Sequence, residues 1–256
     1  MSYFIAVTGK GGVGKTTISG LIVSRLIKRG RTPVLAIDAD PNTCLDALLG
    51  VKAEETVGRV REEVREIAGK GMTAGASKQE LLGMKIAESL VETENFDLIA
   101  MGRSEGPGCY CYANNILKSV INEISGNYPY IVLDNEAGLE NLSRRIVQEV
   151  DVLIIVSDPS NRGVETVKRL YGLSNEMGIR YKKLVLIMNR IRNDHMPESV
   201  NGLKKAVNAD ILMCLPDNNE LLELSESSQV ITGLTEDNPL IIKIDELLTQ
   251  LELLPD

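Results

Sequence analysis

Nine residues, Gly9 to Thr17 (GKGGVGKTT), combine glycines, lysines and threonines at a spacing that suits the holding of polyphosphate. Glycines let backbone N–H groups wrap a phosphate without clashing Cβ atoms, and a helix start adds unpaired amides and partial positive charge. At the end of such a loop Lys15 reaches the β- and γ-phosphates, and the Thr16 hydroxyl ligates Mg²⁺. The flanks agree: an apolar run, Phe4-Ile5-Ala6-Val7, precedes the loop, and Ile18, Leu21, Ile22 and Leu26 follow it at helical spacing. Gly9, Gly11, Gly12, Val13, Gly14, Lys15, Thr16 and Thr17 are therefore candidates for binding a nucleoside triphosphate. A second lysine, Lys10, is costly beside this cationic site unless it faces phosphate, that of a neighbouring subunit included.

Acids fall where such a site would need them. The run Pro33–Ile37 delivers Asp38-Ala39-Asp40-Pro41-Asn42, and Tyr130–Leu133 delivers Asp134-Asn135-Glu136-Ala137-Gly138. In open α/β sheets, ligands sit beyond the carboxyl ends of strands. Asp134 fits a carboxylate that holds Mg²⁺ or its water. Asp38 either supports Mg²⁺ or orders its loop; Asx-turn capping ahead of Pro41 is the plainer alternative. Arg190-Ile191-Arg192 follow Asn189, so the N-K-x-D guanine signature is missing there and ATP is favoured over GTP.

Cys109-Tyr110-Cys111 offers a different chemistry. It follows Gly106-Pro107-Gly108 and precedes a helical pattern. Extended, the two thiols share one face, and the positive potential of a helix start favours thiolates. Two sulfurs do not complete a tetrahedral site, but two copies of the pair across a two-fold axis do. Buried free cysteines are the alternative. Cys214 reads as core, and Cys44 as a capping or packing residue.

The elements that must position these residues alternate in the manner of a parallel sheet wrapped by helices. Strands are expected at 3–8, 33–38, 97–101, 130–134, 152–157, 184–189 and 210–214, with helices at 15–29, 113–124, 139–148, 163–176, after Pro197, and 241–253. Residues 51 to 94 read as charged and helical. No linker divides the 256 residues, so one α/β domain over 1–256 is expected. At 43% hydrophobic and 4% aromatic, the core must be aliphatic. A net charge of −8 argues against a dedicated nucleic-acid binder. No apolar run approaches the ~20 residues of a membrane span, and Met1-Ser2-Tyr3 lacks the basic start of a signal peptide. A cytoplasmic protein is the expectation.

The pattern K-G-G-x-G-K-T-T resembles the deviant Walker A ATPases, which include the MinD, ParA, arsenite-pump and nitrogenase iron-protein types. The resemblance implies a single-domain P-loop NTPase fold, ATP hydrolysis to ADP, and a homodimer in which Lys10 crosses to the partner's nucleotide. It implies that Asp40 orients the attacking water, that Gly138 senses the γ-phosphate, and that Asn189, Pro216 and Asp217 form the adenine pocket. Adding GCYCYANN and DADPNTCL narrows the resemblance to the CooC-type accessory ATPases, which assist nickel insertion into carbon monoxide dehydrogenase, with the AcsF type serving acetyl-CoA synthase. Cys109 and Cys111 would then hold Zn²⁺ or Ni²⁺ between subunits. The rival readings are a MinD- or ParA-like positioning ATPase, and an iron–sulfur carrier or reductase ATPase. The acidic tail from Glu236 would be repelled by an anionic membrane, and the Asp134–Gly138 segment lacks the cysteine that the reductase type needs.

Overall fold

Valine-, isoleucine- and leucine-rich runs without alternating polarity are the mark of strands buried on both faces, and they form the centre of this chain. The computed structural model describes residues 2–69, 78–103, 111–136, 148–192, 198–227 and 229–255. These contain β1 (Tyr3–Gly9), β2 (Val34–Asp38), β3 (Val91–Glu92), β4 (Phe96–Ala100), β5 (Tyr130–Asp134), β6 (Glu149–Ser157), β7 (Arg180–Ile191) and β8 (Ile211–Pro216). They lie in the order β3-β4-β2-β5-β1-β6-β7-β8. Every pairing is parallel except the short β3 against β4. β1 sits between β5 and β6, so the loop after it leaves the middle of the sheet, where the chain order reverses.

Alternate strand residues feed two aliphatic cores. Ile5 and Val7 of β1 join Ile18, Leu21 and Ile22 of α1 (Lys15–Lys28) and Ile244, Leu247 and Leu248 of α9 (Pro239–Gln250). Ala6, between them in sequence, belongs to the opposite core with Val60 of α3 (Val57–Gly69), Leu117 and Ile121 of α5 (Cys111–Ile124), and Val167 of α6 (Asn161–Glu176). The remaining described helices are α2 (Leu45–Leu49), α4 (Lys78–Glu88), α7 (Leu203–Ala206) and α8 (Asn219–Glu226). The result is an α/β fold, a mostly parallel sheet with helices on both faces.

Each expected strand is present, with β6 and β7 longer at their amino ends than their apolar runs suggest. The segment after Pro197 forms only a 3₁₀ turn, Glu198–Val200, and the single turn α7. The helix expected at 139–148 falls outside the described residues except at its last position. Two acids of the tail from Glu236, Glu236 itself and Asp245, both grip Arg25 of α1. The apolar face of α9 is buried in the core, and no described helix is long and apolar enough to cross a membrane.

Candidate nucleotide-binding site

The phosphate loop runs from Gly9 to Gly14 between β1 and α1. Space requires glycine at position 9, and conformation favours it at 14. A Cβ on Gly9 would lie 2.2 Å from the Val156 carbonyl oxygen of β6. Gly14, the residue before α1, has φ of 96°, a left-handed conformation that favours glycine. α6 and α9 are capped by the side chains of Ser160 and Asn238. α1 has no side-chain cap and no acid in its first turn. Its amino end therefore presents bare amides and an uncompensated dipole, the arrangement that binds phosphate.

Lys15 is buried, at 6% exposure, and its ammonium donates to the Lys10 carbonyl over 3.3 Å. Burial pushes its pKa down, against the pull of Asp134, Asp40 and Glu136, which surround it. Asp134 ends β5, directly beside Asp38 at the end of β2. One oxygen of Asp134 accepts from Ser19 at 3.1 Å, and Thr16 also donates to this carboxyl. The other, Oδ2, is buried with no hydrogen-bond partner. Burial lifts the Asp134 pKa to about 7, Asp38 adds to the rise, and Thr16, Ser19 and Lys15 oppose it. An orphaned carboxylate oxygen beside the Thr16 hydroxyl fits a divalent cation, so the residues present suit Mg²⁺.

Asp38 is fully buried. Its Oδ1 accepts from the Asp40 N–H at 3.0 Å, and its Oδ2 from the N–H groups of Cys44 and Leu45 at 2.9 and 3.0 Å. Of the two expected roles, this geometry favours ordering the loop over ligating Mg²⁺, since both oxygens are taken by backbone. Asp40 in turn accepts from the backbone and side chain of Asn42, each at 2.9 Å. Burial and then the nearby acids Asp38, Asp40 and Asp46 push the Cys44 thiol up, so it is a poor thiolate. The Cys214 thiol is raised by burial alone, against Lys243.

Lys10 is exposed and opens on a groove of about 710 Å³ whose other walls include Arg162, Thr166 and Arg169 of α6. It lies near enough to Asp158, after β6, to help the Ser160 hydrogen bonds hold that carboxyl below its usual range despite burial. Asn189, expected to read adenine, donates to the Val13 carbonyl of the phosphate loop at 2.8 Å. Pro216 ends β8, and the Asp217 N–H bonds the Ile191 carbonyl at 3.0 Å, so both stand at the carboxyl edge beside β7. Gly138 and Cys109 lie outside the described residues; Cys111 is the first residue of α5. Among the described residues, no group of three or more His, Cys, Asp or Glu could hold a metal ion.

Three polar residues at the site were not anticipated. Ser19, one turn after Lys15, holds Asp134. Asn135 bonds the Val7 carbonyl through both its backbone and side-chain N–H groups at 3.0 Å, tying the segment after β5 to β1. Ser157 ends β6 fully buried with an unpaired hydroxyl. Its position as a polar residue closing an apolar strand, like Asp134, was the available signal.

Residues 2–186 match the family model described as "AAA domain". The chain is 40% identical over 244 residues to an uncharacterized ATP-binding protein of Methanocaldococcus jannaschii, covering 95% of this chain and 96% of the relative. It is 32% identical over 225 residues to the carbon monoxide dehydrogenase accessory protein CooC of Rhodospirillum rubrum, covering 83% and 82%. Among solved structures, it is similar to the MinD cell division protein of Aquifex aeolicus, with a TM-score of 0.70 at 25% identity over 98% of this chain and 97% of that one.

Proposed function

The chain belongs to the AAA-domain family, in the superfamily of P-loop ATPases that includes MinD and ParA, and from that premise we propose that it is an ATP-driven metallochaperone. The observation that carries the nucleotide half is the pairing of an uncapped α1 with the orphaned Asp134 Oδ2. Together these are a cradle for polyphosphate and a seat for its cation. Thr16 and Asp134 would hold Mg²⁺, which when bound neutralises charge on the β- and γ-phosphates.

The chain's own groups do the rest. The amides at the start of α1 and the Lys15 ammonium bind the phosphates and orient the terminal one. Asp40, beside Lys15, takes the role of orienting the attacking water. Asp38 keeps Asp40 in place through the backbone N–H it accepts. Gly138 follows Asp134 in sequence and would report γ-phosphate loss to the segment beyond. Pro216 and Asp217 would wall the base. Lys10, exposed at the rim, is free to cross to the nucleotide of a second copy, so that ATP clamps two subunits together.

Support for the metal half is twofold: the similarity to a carbon monoxide dehydrogenase accessory protein, and the sequence Cys109-Tyr110-Cys111, of which Cys111 begins α5. Cys109 and Cys111 from each of two chains would complete four thiolates around Ni²⁺ or Zn²⁺, the cargo, for delivery to carbon monoxide dehydrogenase or acetyl-CoA synthase. The positioning-ATPase reading draws on the MinD similarity, but the apolar face of α9 is already spent in the core. Metal titration after anaerobic purification tests the proposal. One divalent ion per two chains is expected with ATP, lost in Cys109→Ser and in Cys111→Ser and kept in Cys214→Ser. An ion bound per single chain that survives Cys111→Ser contradicts a shared thiolate site, and an iron–sulfur chromophore selects the carrier reading.

A further inference from the structure

The carboxyl end of β7 is irregular. Met188 pairs with Cys214 and Ile191 with Pro216, so three steps along β7 match two along β8, which is a one-residue bulge. Within it Arg190 has φ of 62°, an uncommon conformation for a residue with a side chain. Bulges re-aim side chains, and the one re-aimed here is Asn189. Its Oδ1 accepts from the Arg190 N–H at 2.9 Å, while its Nδ2 donates to the Val13 carbonyl at 2.8 Å. The amide's orientation is determined at both ends, since one partner can only donate and the other only accept.

The Val13 carbonyl shares a peptide plane with the Gly14 N–H, and across a trans peptide the two point in opposite directions. Fixing the carbonyl therefore fixes the direction of the first loop amide before Lys15. Glycine at 14 makes that fixing necessary, because its permissive backbone lowers the cost of turning the peptide over. A turned peptide would present a carbonyl oxygen to the phosphate instead of a proton. Contact is close enough that a Cβ on Gly14 would lie 2.5 Å from the Asn189 Nδ2.

We propose that Asn189 is a positioning residue of the phosphate loop, which holds the Val13–Gly14 peptide in its phosphate-binding orientation whatever base the ligand carries. This rests on the reading of the loop as a triphosphate site. The test compares Asn189→Ala and Asn189→Asp with wild type for binding of ATP, GTP and inorganic tripolyphosphate at fixed Mg²⁺. It also measures hydrogen exchange at the Gly14 amide in the ligand-free proteins.

Both variants are expected to lose about 3- to 10-fold in affinity, the worth of one neutral hydrogen bond. The loss should be equal for all three ligands, with faster exchange at Gly14. A loss confined to ATP, with tripolyphosphate unaffected, overturns the proposal and makes Asn189 a base reader. Unchanged exchange at Gly14 overturns it as well. Failure of the wild type to bind any of the three would instead strike the triphosphate reading; exchange at Gly14 would still decide whether Asn189 holds the peptide.

Discussion

Helix α1 carries a buried cation near each end, and the two are in opposite states. Lys15 and Arg25 are 6% and 3% exposed. Arg25 is saturated: its guanidinium grips Asp245 at 2.8 and 2.7 Å and Glu236 at 2.8 and 2.9 Å. Hydrogen bonds that it donates to Asp245 and then to Glu236 raise its pKa. Burial, which pushes Asp245 up, is outweighed by its bonds from Arg25 and Arg29, so that carboxyl lies below its usual range. At the other end every shift runs against ionisation: burial lowers Lys15 and raises Asp134, and Asp134 Oδ2 has no partner. Equal burial thus separates two designs. A buried charge whose partners are complete belongs to the fold. One whose partners are incomplete, at the carboxyl edge of a sheet, belongs to a ligand that completes it.

The largest effect should come from breaking the complete end. Arg25→Ala leaves Asp245 with Arg29 alone and opens the contact between α1 and α9. Loss of one partner from a buried pair costs about 3 kcal/mol, which for a chain of this size lowers Tm by roughly 6–12 °C. Nucleotide affinity of the folded protein should stay near that of wild type. Calorimetry alongside nucleotide titration checks both. A variant as stable as wild type would mean that the clamp is ornamental.

Lys15→Ala should show the reverse pattern. It removes a hydrogen-bonded charge from the phosphates, an interaction of up to about 3 kcal/mol, so affinity should fall on the order of 100-fold. The free protein should lose little stability, because Lys15 is held there at the expense of its own charge. If Tm falls as far as in Arg25→Ala, Lys15 is part of the fold and the contrast fails.

Much of this was legible in the sequence, and the reasons are physical. The strands and the loop glycines could be read because buried parallel strands are continuous apolar runs and because a phosphate cradle excludes Cβ atoms, as at Gly9. Asp134 could be read because an acid closing such a strand is anomalous. Asp38 looked the same and differs in what its oxygens meet: three backbone N–H groups, where Asp134 has Ser19 on one oxygen and no hydrogen-bond partner on the other. No spacing encodes that difference. Asn189 could be read as a residue of the site but its bond to the Val13 carbonyl could not, since the bulge that turns it depends on pairing with β8. The Arg25 clamp was missed altogether. Its partners lie 211 and 220 residues away, and in sequence they were only part of an acidic tail.

The subtlest prediction concerns pH and tests the incomplete end without ligand. An unfolded aspartate titrates near ~3.9, whereas Asp134 in the fold titrates at about 7. Between those values the native state holds a proton that the unfolded chain has released. Stability therefore falls as pH rises through that window; this contribution is greatest below it and gone above about pH 7. Arg25 and Asp245 cannot contribute a slope of this sign, because the folded pKa of Asp245 is depressed and stabilises at higher pH. Asp134→Asn keeps an oxygen for Ser19 and Thr16 but cannot ionise, so it should remove this part of the pH dependence. At pH 8, without nucleotide or Mg²⁺, it should gain about 1–2 kcal/mol over wild type, from the relief of an uncompensated buried charge. That is a rise of roughly 2–8 °C in Tm. The gain should shrink as pH falls through that window and vanish below about pH 4, where Asp134 is protonated in the folded and the unfolded chain alike. Adding Mg²⁺ with ATP at pH 8 should reverse the ranking, since only the carboxylate can use the cation. A variant less stable than wild type at pH 8, with the same pH profile, would mean that Asp134 already has its partners and that the two ends of α1 are alike.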